Sequence, residues 1–188
     1  MASIPEFTAD GVLPVGDHLA SLAELKQSVL VVGPKNVPIG WNRRWRAELV
    51  GNLGLLVPTL WAAGIEEVFV DGSFVENKPH TADIDGYFCC DMDDLLLGRL
   101  QARLQAIDPS GVWTWADYDR LRAEPDGPAM LPMWVKHRVE LYPHFPGLKS
   151  GIQSEFGEEL EFPAAFRQSR RHYMRKGIVR LVRDEVSR

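Results

Sequence analysis

The chain predicts an α/β or α+β fold, a short mixed sheet flanked by helices. Three observations carry this. Apolar residues recur at three- or four-residue spacing from Trp41 to Ala63, as on one face of a helix. Two short runs, "EEVFVDGS" and "ADIDGYFCCD", are rich in β-branched and aromatic residues and read as strands. A helical run, "MDDLLLGRLQARLQAI", follows the second strand. The length of 188 residues suits one domain. Within 1–188 the pattern gives N-terminal helices over 20–63, a motif core over 64–145 and a basic C-terminal segment over 160–188.

The elements follow in order. Gly11, Pro14 and Gly16 put turns at the start. Ser21 and Glu24 form a capping box, so a helix is expected from about Leu22 to about Leu30. "VGPKNVPIG" is a loop. In the long helix, Trp45, Leu49, Leu53, Leu56 and Leu60 form the stripe, with Arg43, Arg44, Arg46 and Glu48 mostly off it. Pro58 is expected to kink or divide this helix, and Gly64 to stop it. Asp93 and Asp94 fall in the first turn of the next helix, where the dipole favours acids. "GVWTW" suggests a short strand and "EPDGP" a turn. "MWVKHRVELYPHF" reads as a third strand, with Trp134, Lys136, Arg138 and Glu140 on one face. "KGIVRLV" is either a strand or part of a helix.

Apolar content of 45% and charged content of 25% are ordinary for a globular protein. No apolar run approaches the roughly 18 residues of a membrane span, and "MASIPEFTADG" lacks the basic start and apolar middle of a signal peptide. A cytoplasmic location without membrane contact is expected. The two cysteines, Cys89 and Cys90, are adjacent and read as reduced core thiols. The net charge of -5 is uneven. From Arg167 onward, eight Lys/Arg stand against Asp184 and Glu185, or +6, leaving -11 for the rest. This basic segment can bind RNA or nucleotide phosphates, pack on the acidic body, or form a solvated face.

Asp83 and Asp85 carry the chemistry. On a strand they point the same way, and paired carboxylates repel unless a cation offsets them. Hard oxygen ligands suit magnesium or manganese. Glu140 from the later strand would complete three carboxylates, with Asp117 and Asp119 as rivals. Gly72 lets the backbone approach a phosphate closely, and Ser73 offers a hydroxyl and a backbone N–H. Lys78 and Arg138 are candidate charges for the phosphate tail. Strand-end capping for the aspartates and a plain turn for Ser73 remain the structural alternatives.

Gly72-Ser73 followed by Asp83-Ile84-Asp85 resembles the hG-S and D-h-D motifs of the polymerase-beta-like nucleotidyltransferase superfamily. "LPVGDHLA", "GSFVENKP" and "KGIVRL" are similar to stretches of a group of small bacterial and phage members, a likeness that spans nearly the whole chain. The resemblance implies a nucleotidyltransferase-like sheet and a nucleoside triphosphate substrate. It assigns Asp83, Asp85 and Glu140 to magnesium or manganese and Gly72 and Ser73 to the nucleotide, to which the candidate charges Lys78 and Arg138 would add. The superfamily more often has aspartate where Glu140 stands. The expected reaction moves a nucleoside monophosphate to an acceptor hydroxyl on an RNA end, a protein or a small molecule, with a toxin–antitoxin or phage-defence setting among those the superfamily occupies. The competing expectation is a non-catalytic nucleotide- or protein-binding module, such as an antitoxin or regulator.

Overall fold

The structure is a computed structural model, and it describes residues 4–122, 126–170 and 172–184. In chain order the elements are β1 (Asp17–Ala20), α1 (Leu22–Gln27), α2 (Val29–Val32), α3 (Arg43–Ala62), β2 (Val68–Asp71) and β3 (Ile84–Cys89). There follow α4 (Met92–Leu96), α5 (Arg99–Ile107), β4 (Leu121–Arg122), β5 (Ala129–Met130), α6 (Pro132–His137) and β6 (Val139–His144). The last are β7 (Lys149–Gln153), β8 (Glu159–Glu161), α7 (Phe162–Phe166) and β9 (Ile178–Leu181). The expected short mixed sheet flanked by helices is present. Its five strands run in the order β1-β9-β2-β3-β6, with β1/β9 and β3/β6 parallel and the two central pairs antiparallel.

Strand alternation sorts the side chains into two cores. Val68, Val70, Ile84, Phe88, Val139 and Leu141 face the helices and pack with α3 through Leu49, Leu53, Leu56 and Leu60. Phe69, Tyr87 and Ile178 face the other way and meet Phe162 and Phe166 of α7. No helix among the described residues is long and apolar enough to cross a membrane.

Several elements differ from expectation for identifiable reasons. The capping box at Ser21 and Glu24 forms, but the helix stops at Ser28, whose hydroxyl donates to the Leu25 carbonyl and accepts from the Leu30 N–H, starting α2. Pro58 neither ends nor splits α3. The residue four positions back is Gly54, and Leu53, Leu56, Val57 and Leu60 are buried around it, which offsets the roughly 3 kcal/mol that a proline costs a helix. Gly64, at φ 87°, follows the end of this helix as expected. The helix after β3 breaks at Gly98, which adopts φ 71°. Its first cap is Asp91, which accepts the Asp94 N–H, while Asp94 pairs with Arg99 and Arg103. "GVWTW" is not a strand: Trp113 is buried, with its indole donating to Asp108, and Trp115 donates to the Leu141 carbonyl.

The largest revision concerns "MWVKHRVELYPHF". Its first half is α6, with Pro132 at the start, and Arg138 turns the chain in a left-handed conformation, φ 55°, before β6 begins. Over six residues, alternation and helical spacing are hard to separate in sequence. "KGIVRLV" resolves as strand β9, and β1, within the region read only as turns, pairs with it. Several described cations of the basic C-terminal segment pair with acids of the body. Arg167 pairs with Asp17, Arg180 with Glu67 and Arg183 with Glu66.

Candidate active site

The antiparallel β2–β3 pair sets Asp71 opposite Asp85, and the parallel β3–β6 pair sets Asp85 opposite Glu140. Asp71, Asp85 and Glu140 lie two residues from Phe69, Tyr87 and Tyr142, so all three stand on the smaller-core side of the sheet. β2 ends where β3 and β6 begin, which places this row at one end of the sheet. Asp83 precedes β3 and joins the row at the same cleft, a hollow of about 750 Å³. Sequence reasoning missed Asp71. The available signal was an acid closing the apolar run "VFV" directly before Gly-Ser.

Burial and mutual repulsion set the electrostatics. Asp71 is 1% exposed and Glu140 7%. Burial pushes the Asp71 carboxyl up to about 7, with the Lys176 ammonium opposing the rise. Burial also pushes Asp85 up to about 7, helped by the charge of Asp83 and opposed by Arg170. Glu140 is raised by burial, against the hydrogen bond it receives from Tyr142. The Trp134 indole donates to Asp83 Oδ2 at 2.7 Å and the Tyr142 hydroxyl to Glu140 Oε2 at 2.8 Å.

The Gly-Ser turn is a single 3-10 turn over Gly72–Val75. Gly72 has φ 72°, and a Cβ there would lie 2.1 Å from Asp85 Oδ2. Glycine is therefore required on two counts, conformation and space. The Ser73 and Thr81 hydroxyls are hydrogen-bonded, and Thr81 donates on to the Asp83 carbonyl. The loop between turn and strand is held from beneath by Arg46. Read from sequence as lying off the apolar stripe, Arg46 is in fact 0% exposed. Its guanidinium stacks 4.0 Å above the Trp41 ring and donates to the carbonyls of Leu30, Phe74, Glu76 and Lys78. Burial lowers its pKa to about 10.

Of the sequence-predicted residues, Gly72, Ser73, Lys78, Asp83, Asp85 and Glu140 all line the cleft. Arg138 does not. The strand alternation that placed it beside Glu140 does not extend to a left-handed hinge, and its guanidinium instead stacks 3.9 Å above Trp134, the residue that binds Asp83. Asp117 and Asp119 lie elsewhere, held by Arg120 and by the Thr114 hydroxyl. Arg170, His172 and Lys176 from the C-terminal segment line the cleft and were not singled out from the sequence.

The residues present suit a hard divalent cation. The donors are all carboxylate oxygens, and among the described residues Glu140 Oε1 and both Asp71 oxygens are buried without a partner in full hydrogen-bond geometry. Asp83 Oδ2 and Glu140 Oε2 are engaged by Trp134 and Tyr142, and no three His, Cys, Asp or Glu side chains among the described residues are gathered closely enough to hold a metal ion.

Neither the curated proteins nor the solved structures contain a match to this chain. One family model, described as "Family of unknown function (DUF6932)", matches residues 5–182. A match over nearly the whole length shows that the chain belongs to the DUF6932 family.

Proposed function

We propose that the protein is a metal-dependent nucleotidyltransferase that moves a nucleoside monophosphate from a nucleoside triphosphate to an acceptor hydroxyl. The observation that carries this is the register of Asp85 with Glu140, beside Asp83 and at the same cleft end as Gly72-Ser73. Asp83, Asp85 and Glu140 would hold magnesium or manganese, which supplies Lewis-acid polarisation of the phosphoryl group and eases ionisation of the acceptor.

The chain's own groups do the rest. Gly72 leaves room for the Asp85 carboxylate beside the turn, and Ser73 exchanges its bond to Thr81 for one to phosphate. Lys78 and Arg170 offset the triphosphate charge from the cleft walls. Glu140, raised by burial, takes the proton of the acceptor hydroxyl. The acceptor oxygen then bonds to the α-phosphorus, the bond from that phosphorus to the β-bridging oxygen breaks, and pyrophosphate leaves with the electron pair. With Arg167, Arg180 and Arg183 engaged by the body, the basic residues left facing the cleft favour a polyphosphate ligand over an extended RNA track.

A second reading, a non-catalytic nucleotide- or protein-binding module, draws on the hydrogen bonds that already engage one oxygen each of Asp83 and Glu140. Calorimetric titration of the four nucleoside triphosphates with magnesium separates the two, using wild type and Asp83→Ala/Asp85→Ala. Metal-dependent binding lost in the folded variant, followed by transfer of labelled nucleotide, supports the transferase. Binding that ignores metal and both aspartates sinks it in favour of the module.

A further inference from the structure

The Asp71 carboxylate stands out among the acids of this protein. Acids with a structural role here find donors: Asp94 has Arg99 and Arg103, Asp108 has the Ser110 N–H and the Trp113 indole, and Asp119 has the Thr114 hydroxyl. Asp71 is 1% exposed, yet among the described residues neither of its oxygens has a partner in full hydrogen-bond geometry. Its charge is offset mainly by the Lys176 ammonium, 3.2 Å from Oδ1 in an ion-pair contact, with a smaller contribution from the Gly72 backbone N–H. A buried carboxylate so poorly matched is costly to maintain. Both open oxygens belong to a residue that lines the cleft, directly opposite Asp85 and two strands from Glu140.

Lys176 is placed to exchange partners. It is 3% exposed and also donates to Glu76 Oε1 at 2.9 Å and to the Gly72 carbonyl at 3.0 Å. If Asp71 turns to another cation, Lys176 keeps one anionic partner and one carbonyl, so it is not stranded in the interior. The ammonium therefore occupies the position of a counter-ion, tethered by two groups outside the carboxylate row.

We propose that Asp71 is a fourth carboxylate of the cation site, with Lys176 as the resident positive charge that neutralises it while no metal is bound. This rests on the reading of the cleft as metal-dependent. It adds a ligand from β2 to those from β3 and β6, and it gives Lys176 the role of a positioning residue, one that acts through Asp71 and Glu76 without touching the nucleotide.

The test is manganese binding by calorimetry on wild type, Asp71→Asn and Lys176→Met, with thermal melts of each in the presence and absence of manganese. Asp71→Asn should weaken manganese binding by about tenfold or more, on the scale by which supporting ligands alter metal affinity, while its metal-free melting stays close to that of wild type. Lys176→Met should melt early without metal and gain more from manganese than wild type does, because the metal then replaces the missing charge. Wild-type affinity in Asp71→Asn overturns the proposal, as does a manganese gain in Lys176→Met no larger than in wild type. Should Asp71→Asn fail to fold, the Lys176→Met comparison decides the matter alone. Absence of manganese binding in wild type overturns the metal-dependent reading itself and this inference with it, an outcome distinct from a binding wild type with an unaffected Asp71→Asn.

Discussion

Asp85 and Glu140 are register partners across the parallel β3–β6 ladder, two carboxylates on neighbouring strands and on the same face of the sheet. Side chains directly opposite on adjacent strands stand about 5 Å apart at Cβ, and like charges so placed destabilise the sheet. A fold that repeats this at Asp71, across the β2–β3 ladder, concentrates acidic repulsion at one end of its sheet. The surrounding groups offset part of it: Lys176 and Arg170 by charge, Tyr142 and Trp134 by hydrogen bonds.

Stability should fall as the acids ionise. Asp71 and Asp85 have native pKa values raised to about 7 from 3.8, so the folded state holds these protons more tightly than the unfolded chain. Such a group stabilises the fold below its unfolded pKa, and that contribution is lost as pH rises through the folded value. Thermal melts between about pH 5 and about pH 8 should therefore show a falling melting temperature. Asp85→Asn should flatten the slope. A slope of the same size in wild type and variant would show that Asp85 is not among the groups responsible.

Gly72→Ala tests the close contact under the turn. The substitution places a Cβ in a left-handed conformation, φ 72°, and 2.1 Å from Asp85 Oδ2. It should cost at least about 1 kcal/mol in urea unfolding and displace Asp85, weakening any metal-dependent nucleotide binding. Unfolding and binding at wild-type levels would mean that turn and carboxylate can move apart freely.

Arg46 offers a test remote from the cleft. It ties α3 to the carbonyls of Leu30, Phe74, Glu76 and Lys78, so the Gly-Ser loop is anchored to the main helix. Arg46→Met leaves several buried carbonyls unsatisfied and should destabilise by about 3 kcal/mol. Arg46→Lys should recover little of this, because one ammonium cannot reach the span of a guanidinium fork. Full rescue by lysine in denaturant melts would show that charge alone, without the fork geometry, suffices.

Much of the architecture was legible because it rests on local signals. The stripe of Leu49, Leu53, Leu56 and Leu60 specifies α3, the Ser21 box starts α1, and the apolar runs around Asp71 and Asp85 specify β2 and β3. What misled was also local. The six residues before Arg138 fit both periods, and a serine in a short helix offered the backbone an alternative. Arg46 reads as a surface charge in sequence, since nothing in its neighbours reveals four carbonyls arriving from two other segments.

Local chain length alone keeps Asp83, Asp85, Gly72 and Ser73 near one another, since only a short loop separates the Gly-Ser turn from the strand that carries Asp85. The leucine stripe likewise specifies, from sequence, the helix that backs them. Which distant acid joins the pair, that Asp71 stands in the same row, that Arg138 turns away and that Lys176 lies beneath the Gly-Ser turn emerge only once the sheet is assembled. Those outcomes depend on strand order and register. Register is set by how the apolar faces of β2, β3, β6 and β9 bury together against α3, a sum over the whole sheet that no single segment encodes.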